Sequence, residues 1–314
     1  MTTEQIAILE RDLFPYVGGM QLSCTGEPLY LKNLGEGLAA VQRAGVPFVR
    51  IQTNGTHLDE RRGRLLLAGG LDVLGISLDA SRKETFEEIR AGGEWEPVIE
   101  NVRNFVRTRN EFSGKKTEIA LNFAMMKQNE SEAVEFVRLA KELGADSATF
   151  THLFIERAEM REWSLVYDTE AANRLHAEIR AEAARLGLPV SVPPDFTEPI
   201  DRFDGERIED PVYYGPCVAA RESWIFLLAN GDCFPCQNLG DTPPIGNLFE
   251  TPFPEIWASR ENQRFRQEAL AGRVEGCDHC KFFAGSEDQN CEMTYLAKRL
   301  TTTPVGSTRT AVPA

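Results

Sequence analysis

The sequence predicts an α/β fold built on a parallel sheet, either a barrel or an open wound sheet, with a separate cysteine-bearing region behind it. Three observations predict this. Six short apolar runs alternate with helical stretches over the first two thirds of the 314 residues. Those runs are mostly apolar along their length, as parallel strands covered by helices are. Six of the seven cysteines fall in the last third, which sets that part of the chain aside.

The elements follow in order. "TTEQIAILERDLF" reads as a helix with Thr2 or Thr3 as N-cap. "GGMQLSC" is a strand, and "LKNLGEGLAAVQRAG" a helix closed by Gly45. "PFVRIQT" and "HLDERRGRLLLAGG" form the next strand and helix. "LDVLGISLD" is a strand followed by helical "SRKETFEEIR" and "WEPVIENVRNFVRTR". "TEIALNFAMM" leads to the helix in "NESEAVEFVRLAKELG", with Asn129 as its cap. "ADSATFTHLF", the long helix "TEAANRLHAEIRAEAARLG" and the short strand "LPVSV" complete the alternation. Repeated βα units with short links place chemistry at the carboxyl ends of the strands. Those ends are "CTGEP", "QTNGT", "SLDAS", "NFAMM" and "THLF". Four of the five carry polar groups that a buried loop does not need.

Composition excludes some functions. The formal net charge is −14 and no Lys/Arg-rich run occurs, which argues against nucleic acid and anionic membrane as partners. No apolar stretch is long enough to cross a bilayer, and the first residues have no signal-peptide pattern. A cytoplasmic location is expected. The domain boundaries read as 1–195 for the βα region, a Pro-rich acidic linker at 196–212, the cysteine-bearing domain at 213–295 and a disordered tail at 296–314.

In a reducing compartment a cysteine cluster signals metal. "CVAARESWIFLLANGDCFPC" holds Cys217, a short strand, an Asn-Gly turn, then Cys233 and Cys236. The Asn-Gly pair is a hairpin signal that brings Cys217 and Cys236 together. "GCDHC" adds Cys277 and Cys280, with His279 as a spacer. Four thiolates suit either a tetrahedral Zn²⁺ or a four-iron cluster. A zinc ribbon from Cys233, Cys236, Cys277 and Cys280 would span a gap well beyond the usual ~15–20 residues.

These motifs together resemble the radical S-adenosylmethionine (radical SAM) superfamily with a C-terminal SPASM or twitch domain. "CTGEP" is similar to the family's Gly-Gly-Glu-Pro motif, "TNGTHL" and "SLDAS" to the motifs of the next two strands, and "PCQNLGDTPPIGNLFETPFPEIWAS" to the segment after an auxiliary-cluster cysteine. The resemblance spans nearly the whole chain. It implies a (β/α)6 TIM-like barrel, partial here because the first strand is absent, and a small cysteine-rich SPASM/twitch domain. It implies SAM as cofactor, with a radical [4Fe–4S] cluster in a complete chain and an auxiliary [4Fe–4S] cluster. A 5′-deoxyadenosyl radical made from SAM would abstract hydrogen from a peptide, protein or small metabolite, with an electron donor such as flavodoxin or ferredoxin.

By motif match, the Glu27 carboxylate takes the SAM ammonium, helped by the backbone at Thr25 and Gly26. Thr53 and Asn54 lie near the methionine moiety, Ser77 and Asp79 face the ribose hydroxyls, and Asn122 is a further candidate. Asn54-Gly55 reads equally as a turn, and Asp79 as a helix cap. Cys217, Cys236, Cys277 and Cys280 hold the auxiliary cluster, with Cys233 and Cys291 as possible substitutes. Two departures stand out. Thr25 replaces a glycine, and no CxxxCxxC occurs anywhere in the chain. The expectation is a fragment or a misassigned start, in which the strand ending at Cys24 has an unpaired apolar edge. The alternatives are a subunit completed in trans, or a non-catalytic binding protein with a structural zinc or iron–sulfur module.

Overall fold

A computed structural model of the chain describes residues 1–22, 26–114, 116–153, 158–196, 218–221, 224–236 and 243–270. Cys24, Thr25, Cys217, Cys277, Cys280 and Cys291 lie outside the described residues, as do residues 197–212 of the predicted linker and the whole predicted tail.

Six parallel strands form one sheet in chain order: β1 (Met20–Leu22), β2 (Val49–Thr53), β3 (Val73–Ser77), β4 (Glu118–Met125), β5 (Ser147–His152) and β6 (Val190–Ser191). The connections carry α1 (Thr3–Asp12, before β1), α2 (Leu34–Ala44), α3 (Glu60–Ala68), α4 (Lys83–Ile89), α5 (Trp95–Glu111), α6 (Ala133–Leu143) and α7 (Thr169–Leu186). Each predicted strand and helix of the βα region is present. Among the described residues β1 pairs with β2 alone.

Local signals explain the helix ends. Thr2 caps α1 in a reciprocal pair with Gln5. Gly45 ends α2 in the left-handed conformation at φ 68°. Asn129 does not cap α6, contrary to the sequence reading. It is fully buried, and its amide joins two strand ends: Nδ2 donates to Asp79 O at 2.8 Å and to Ala124 O at 2.9 Å, while Oδ1 accepts from Met126 N at 2.7 Å. An amide with partners on two loops serves better as a bolt than as a cap.

The sheet has two unlike faces. Val49, Ile51, Leu74, Ile76, Ile119, Leu121, Phe123, Ala148 and Phe150 pack with the helices in the main core. Phe123, Phe136 of α6 and Phe150 form a ring trio with centroids 4.8, 5.6 and 5.8 Å apart. Burying each such ring contributes about 1.5–3 kcal/mol. The alternate positions turn the other way. Their apolar core is small, formed by Phe48, Val73 and Ala120 at the amino ends of the strands. Above it the same face carries Gln21, Arg50, Gln52, Ser77, Asn122, Thr149 and Thr151, which share strand register. The strands are therefore apolar on one face only.

In the cysteine-bearing region, β7 (Phe226–Leu227) and β8 (Asp232–Phe234) form the predicted hairpin, and β9 (Gly246–Asn247) adds antiparallel to β8. Three short helices accompany them: α8 (Val218–Arg221), α9 (Phe253–Trp257) and α10 (Arg260–Leu270). Phe253 and Ile256 join the main core, and Tyr16 meets Phe253 at 5.7 Å.

Candidate functional site

The carboxyl ends of β1 to β5 gather the polar residues. After β1, Pro28 opens a short turn whose N-cap is Glu27. The Glu27 carboxylate ties this turn to the end of β2. Its Oε1 accepts from Leu29 N at 3.0 Å and from Thr53 Oγ1 at 2.6 Å, and its Oε2 accepts from Asn54 N at 2.8 Å. A carboxylate has about four acceptor directions, so among the described residues one on Oε2 is left for a cation. Gly26 beside it has open space where a side chain would begin. Asn54-Gly55 is a true turn. Asn54 Oδ1 accepts from Thr56 N at 2.9 Å, Gly55 has φ 78°, and Asn101 Nδ2 of α5 donates to Gly55 O at 3.0 Å. Thr53 Oγ1 accepts from Gly55 N at 3.1 Å and donates to Glu27.

Asp79 follows β3 with φ 60°, the one non-glycine positive φ among the described residues. Such a conformation is costly and needs support. Its Oδ1 accepts from Ala124 N at 2.8 Å and its Oδ2 from Arg90, while Leu78 N and Asp79 N both donate to Asn122 O. Asp79 is not a helix cap, since the N-cap of α4 is Arg82. It clips the end of β3 to β4. Ser77 and Asn122 are register partners on the polar face. Ser77 Oγ accepts from Gln52 Nε2 at 2.7 Å, and Gln52 Oε1 accepts from Arg50 at 3.2 Å.

Of the predicted site, the structure thus brings Glu27, Thr53 and Asn54 together by hydrogen bonds, and pairs Ser77 with Asn122. Asp79 joins the same rim through backbone contacts. Sequence reasoning missed Arg50, Gln52, Gly75, Thr149 and Thr151. The alternation in "VRIQT" was the available signal.

It also missed His152 and its partner His176 in α7. Their rings lie 5.1 Å apart, with Phe196 5.2 Å from His152. His152 as a residue is only partly buried, yet both of its ring nitrogens are buried and unpartnered. His176 is fully buried, and its Nδ1 lies 3.3 Å from Asp195 Oδ1, which also pairs with Arg180. Burial, then the charge of His176, pushes the His152 pKa down to about 3. Burial also lowers His176, against the opposing Asp195 contact. The unfolded chain therefore binds these protons first, and stability falls as pH drops from the ordinary histidine value toward the depressed one. Between about pH 7 and about pH 5.5 we expect a loss on the order of 1 kcal/mol from His152. Urea unfolding at the two pH values checks it: His152→Phe should flatten the slope. An equal slope in both proteins would assign the loss elsewhere.

The two described cysteines part company. Cys233 of β8 belongs to the main core, and its thiol contacts Gly231 O at 3.6 Å. Burial pushes its pKa up to about 12. Cys236 sits in a different cluster with Ala219 and Ala220 of α8 and Phe265 and Ala269 of α10. Cys217 immediately precedes α8 in the sequence. The two cysteines of the Cys233-x-x-Cys236 spacing thus pack into different clusters.

No helix of the described residues is long and apolar enough to cross a membrane. Comparison with known proteins gives two family matches. The radical SAM superfamily matches residues 1–140. SPASM, an iron–sulfur cluster-binding domain, matches residues 217–281. A probable GTP 3′,8-cyclase of Saccharolobus solfataricus is 31% identical over 121 residues, 38% of this chain. The match spans only 37% of that relative's length. An AdoMet-dependent heme synthase of Methanosarcina barkeri is 25% identical over 287 residues, 83% of this chain and 74% of that protein. Among solved structures, anSMEcpe with bound AdoMet and the Kp18Cys peptide superposes with TM-score 0.63 at 17% identity, covering 96% of this chain and 90% of that one. That likeness concerns the fold, and the family follows from the two matched domains: the chain belongs to the radical SAM superfamily and carries a SPASM iron–sulfur cluster-binding domain.

Proposed function

We propose that the rim formed by Gly26, Glu27, Thr53, Asn54, Ser77, Asp79 and Asn122, together with Thr25 next to it in the sequence, binds SAM, and that the protein modifies a peptide, protein or small metabolite by radical chemistry. The observation that carries this reading is the Glu27 carboxylate, held by three hydrogen bonds and, among the described residues, with one acceptor direction unused. A fixed carboxylate suits an ammonium because both charge and direction are set beforehand. Ser77, with Asn122 beside it, offers hydroxyl and amide groups to a sugar, while Asp79 keeps the rim in shape. A [4Fe–4S] cluster supplies the electron that cleaves SAM in this chemistry. Its CxxxCxxC ligands do not occur in the 314 residues, so no step is assigned to it here.

For the auxiliary cluster we propose Cys217, Cys236, Cys277 and Cys280 as ligands. Cys236 packs against α8, which Cys217 immediately precedes in the sequence. The cluster would relay an electron or hold substrate, and flavodoxin or ferredoxin would be the donor. The peptide bound to anSMEcpe supports a peptide or protein substrate. The heme synthase relative supports a small metabolite. The second reading is a binding protein without radical chemistry. An upstream stop codon with no in-frame CxxxCxxC would favour it.

Two measurements separate the readings. Calorimetric titration of the purified chain with SAM should show saturable binding, and its absence would overturn the SAM rim. With SAM and dithionite this polypeptide alone should give no 5′-deoxyadenosine, since none of its seven cysteines stands in a CxxxCxxC. Product formation would show that other cysteines hold the cleaving cluster.

A further inference from the structure

We infer that Gln52 is a positioning residue that sets the Ser77 hydroxyl as a hydrogen-bond donor toward the ligand, and that Arg50 sets Gln52. The inference deepens the proposed SAM rim and rests on it. It follows from the direction of two hydrogen bonds. A guanidinium only donates. Arg50, 3% exposed on the polar face of β2, lies 3.2 Å from Gln52 Oε1. The Gln52 amide must therefore show its oxygen to Arg50 and its nitrogen to Ser77. The choice between amide oxygen and nitrogen, often ambiguous, is fixed by the arginine.

The second bond passes the direction on. Gln52 Nε2 donates to Ser77 Oγ at 2.7 Å. An NH₂ group cannot accept, so the single Ser77 hydrogen has to point elsewhere. Ser77 is the last residue of β3, on the polar face at the carboxyl end. Its hydrogen is thus available to an acceptor at the rim, such as a sugar hydroxyl oxygen.

Gly75 is the independent observation. A Cβ there would lie 2.0 Å from Gln52 Oε1 and 2.9 Å from Gln52 Cδ. Gln52 is held at both ends and cannot swing aside. The absence of a side chain at Gly75, the register partner of Gln52, is what lets the amide cross from β2 to Ser77.

The decisive variant is Gln52→Glu. It keeps the shape and gives Arg50 a carboxylate partner, so the fold should hold, as urea unfolding would verify. However, a carboxylate only accepts, and it would draw the Ser77 hydrogen back from the rim. We expect SAM affinity in titration calorimetry to weaken about 5- to 10-fold, the size of one lost neutral hydrogen bond. Ser77→Ala should weaken it similarly, and the double variant should be no weaker than Ser77→Ala alone. A purely structural role predicts additive losses instead. Unchanged affinity in Gln52→Glu, or additive losses, overturns the positioning role while leaving the SAM rim intact. Failure of the unmodified chain to bind SAM overturns the rim and this inference with it. Should Gln52→Glu not fold, Gln52→Met removes the amide without adding charge. A loss of about 2- to 3-fold is then expected from freeing the Ser77 rotor, and no loss overturns the inference.

Discussion

Replacing Glu27 with alanine is expected to destabilise the chain by about 2 kcal/mol and to weaken SAM binding more than about tenfold. The stability figure follows from the partners. Three donors, Leu29 N, Thr53 Oγ1 and Asn54 N, end on this carboxylate. Hydrogen bonds to a charged group contribute about 1.5–3 kcal/mol each, but Glu27 is only half-buried, and water would satisfy part of what the alanine abandons. Glu27→Gln separates the two roles. Its carbonyl oxygen can keep Leu29 and Thr53, while its NH₂ would face the Asn54 N–H, donor against donor. Stability should fall by about half as much as in the alanine variant. SAM affinity should fall about as far, because no charge is left for the ammonium. Urea unfolding reads the first quantity and titration calorimetry the second. If Glu27→Gln bound SAM as the unmodified chain does, the carboxylate would be a strap between two strand ends and nothing more.

Much of that strap was legible before any coordinates. A Glu-Pro after an apolar run stops a strand, and Thr53-Asn54-Gly55 sits at the next strand end. What the sequence did not disclose was that the two segments hold each other, a contact between residues 26 positions apart. The same limit explains the other surprises. Asn129 has the composition of a cap, but its burial turns it into a bolt between Asp79 and Ala124. "VRIQT" reads as a strand either way, and only the register shows that Arg50 and Gln52 face a polar interior with Ser77. His152 and His176 stand on separate elements and meet only because α7 packs against the sheet. Local signals such as the Thr2 cap of α1 and the Gly45 end of α2 were thus read well. Side-chain partners across the sheet were not, because they depend on which face each strand presents, and one buried charge in an apolar run conceals that face.

The cysteines are subject to the same limit. A CxxC spacing suggests two thiols on one metal, yet Cys233 and Cys236 fall in different clusters. Cys233 lies within β8 and packs into the main core, while Cys236 lies beyond the strand end. Cluster ligation requires a thiolate. Burial pushes the Cys233 thiol up to about 12, and the main core packs around it. Cys236→Ser is therefore expected to empty the auxiliary site, from about four irons per chain after anaerobic purification to essentially none. Cys233→Ala should keep its iron and lose on the order of 1 kcal/mol of stability, as a small cavity opens in the core. Iron and sulfide analysis reads the first outcome and urea unfolding the second. Iron lost in Cys233→Ala and kept in Cys236→Ser would reverse the assignment. Stoichiometric zinc in place of iron would move the module to a structural metal site, and with it the choice between an electron-carrying domain and a binding platform.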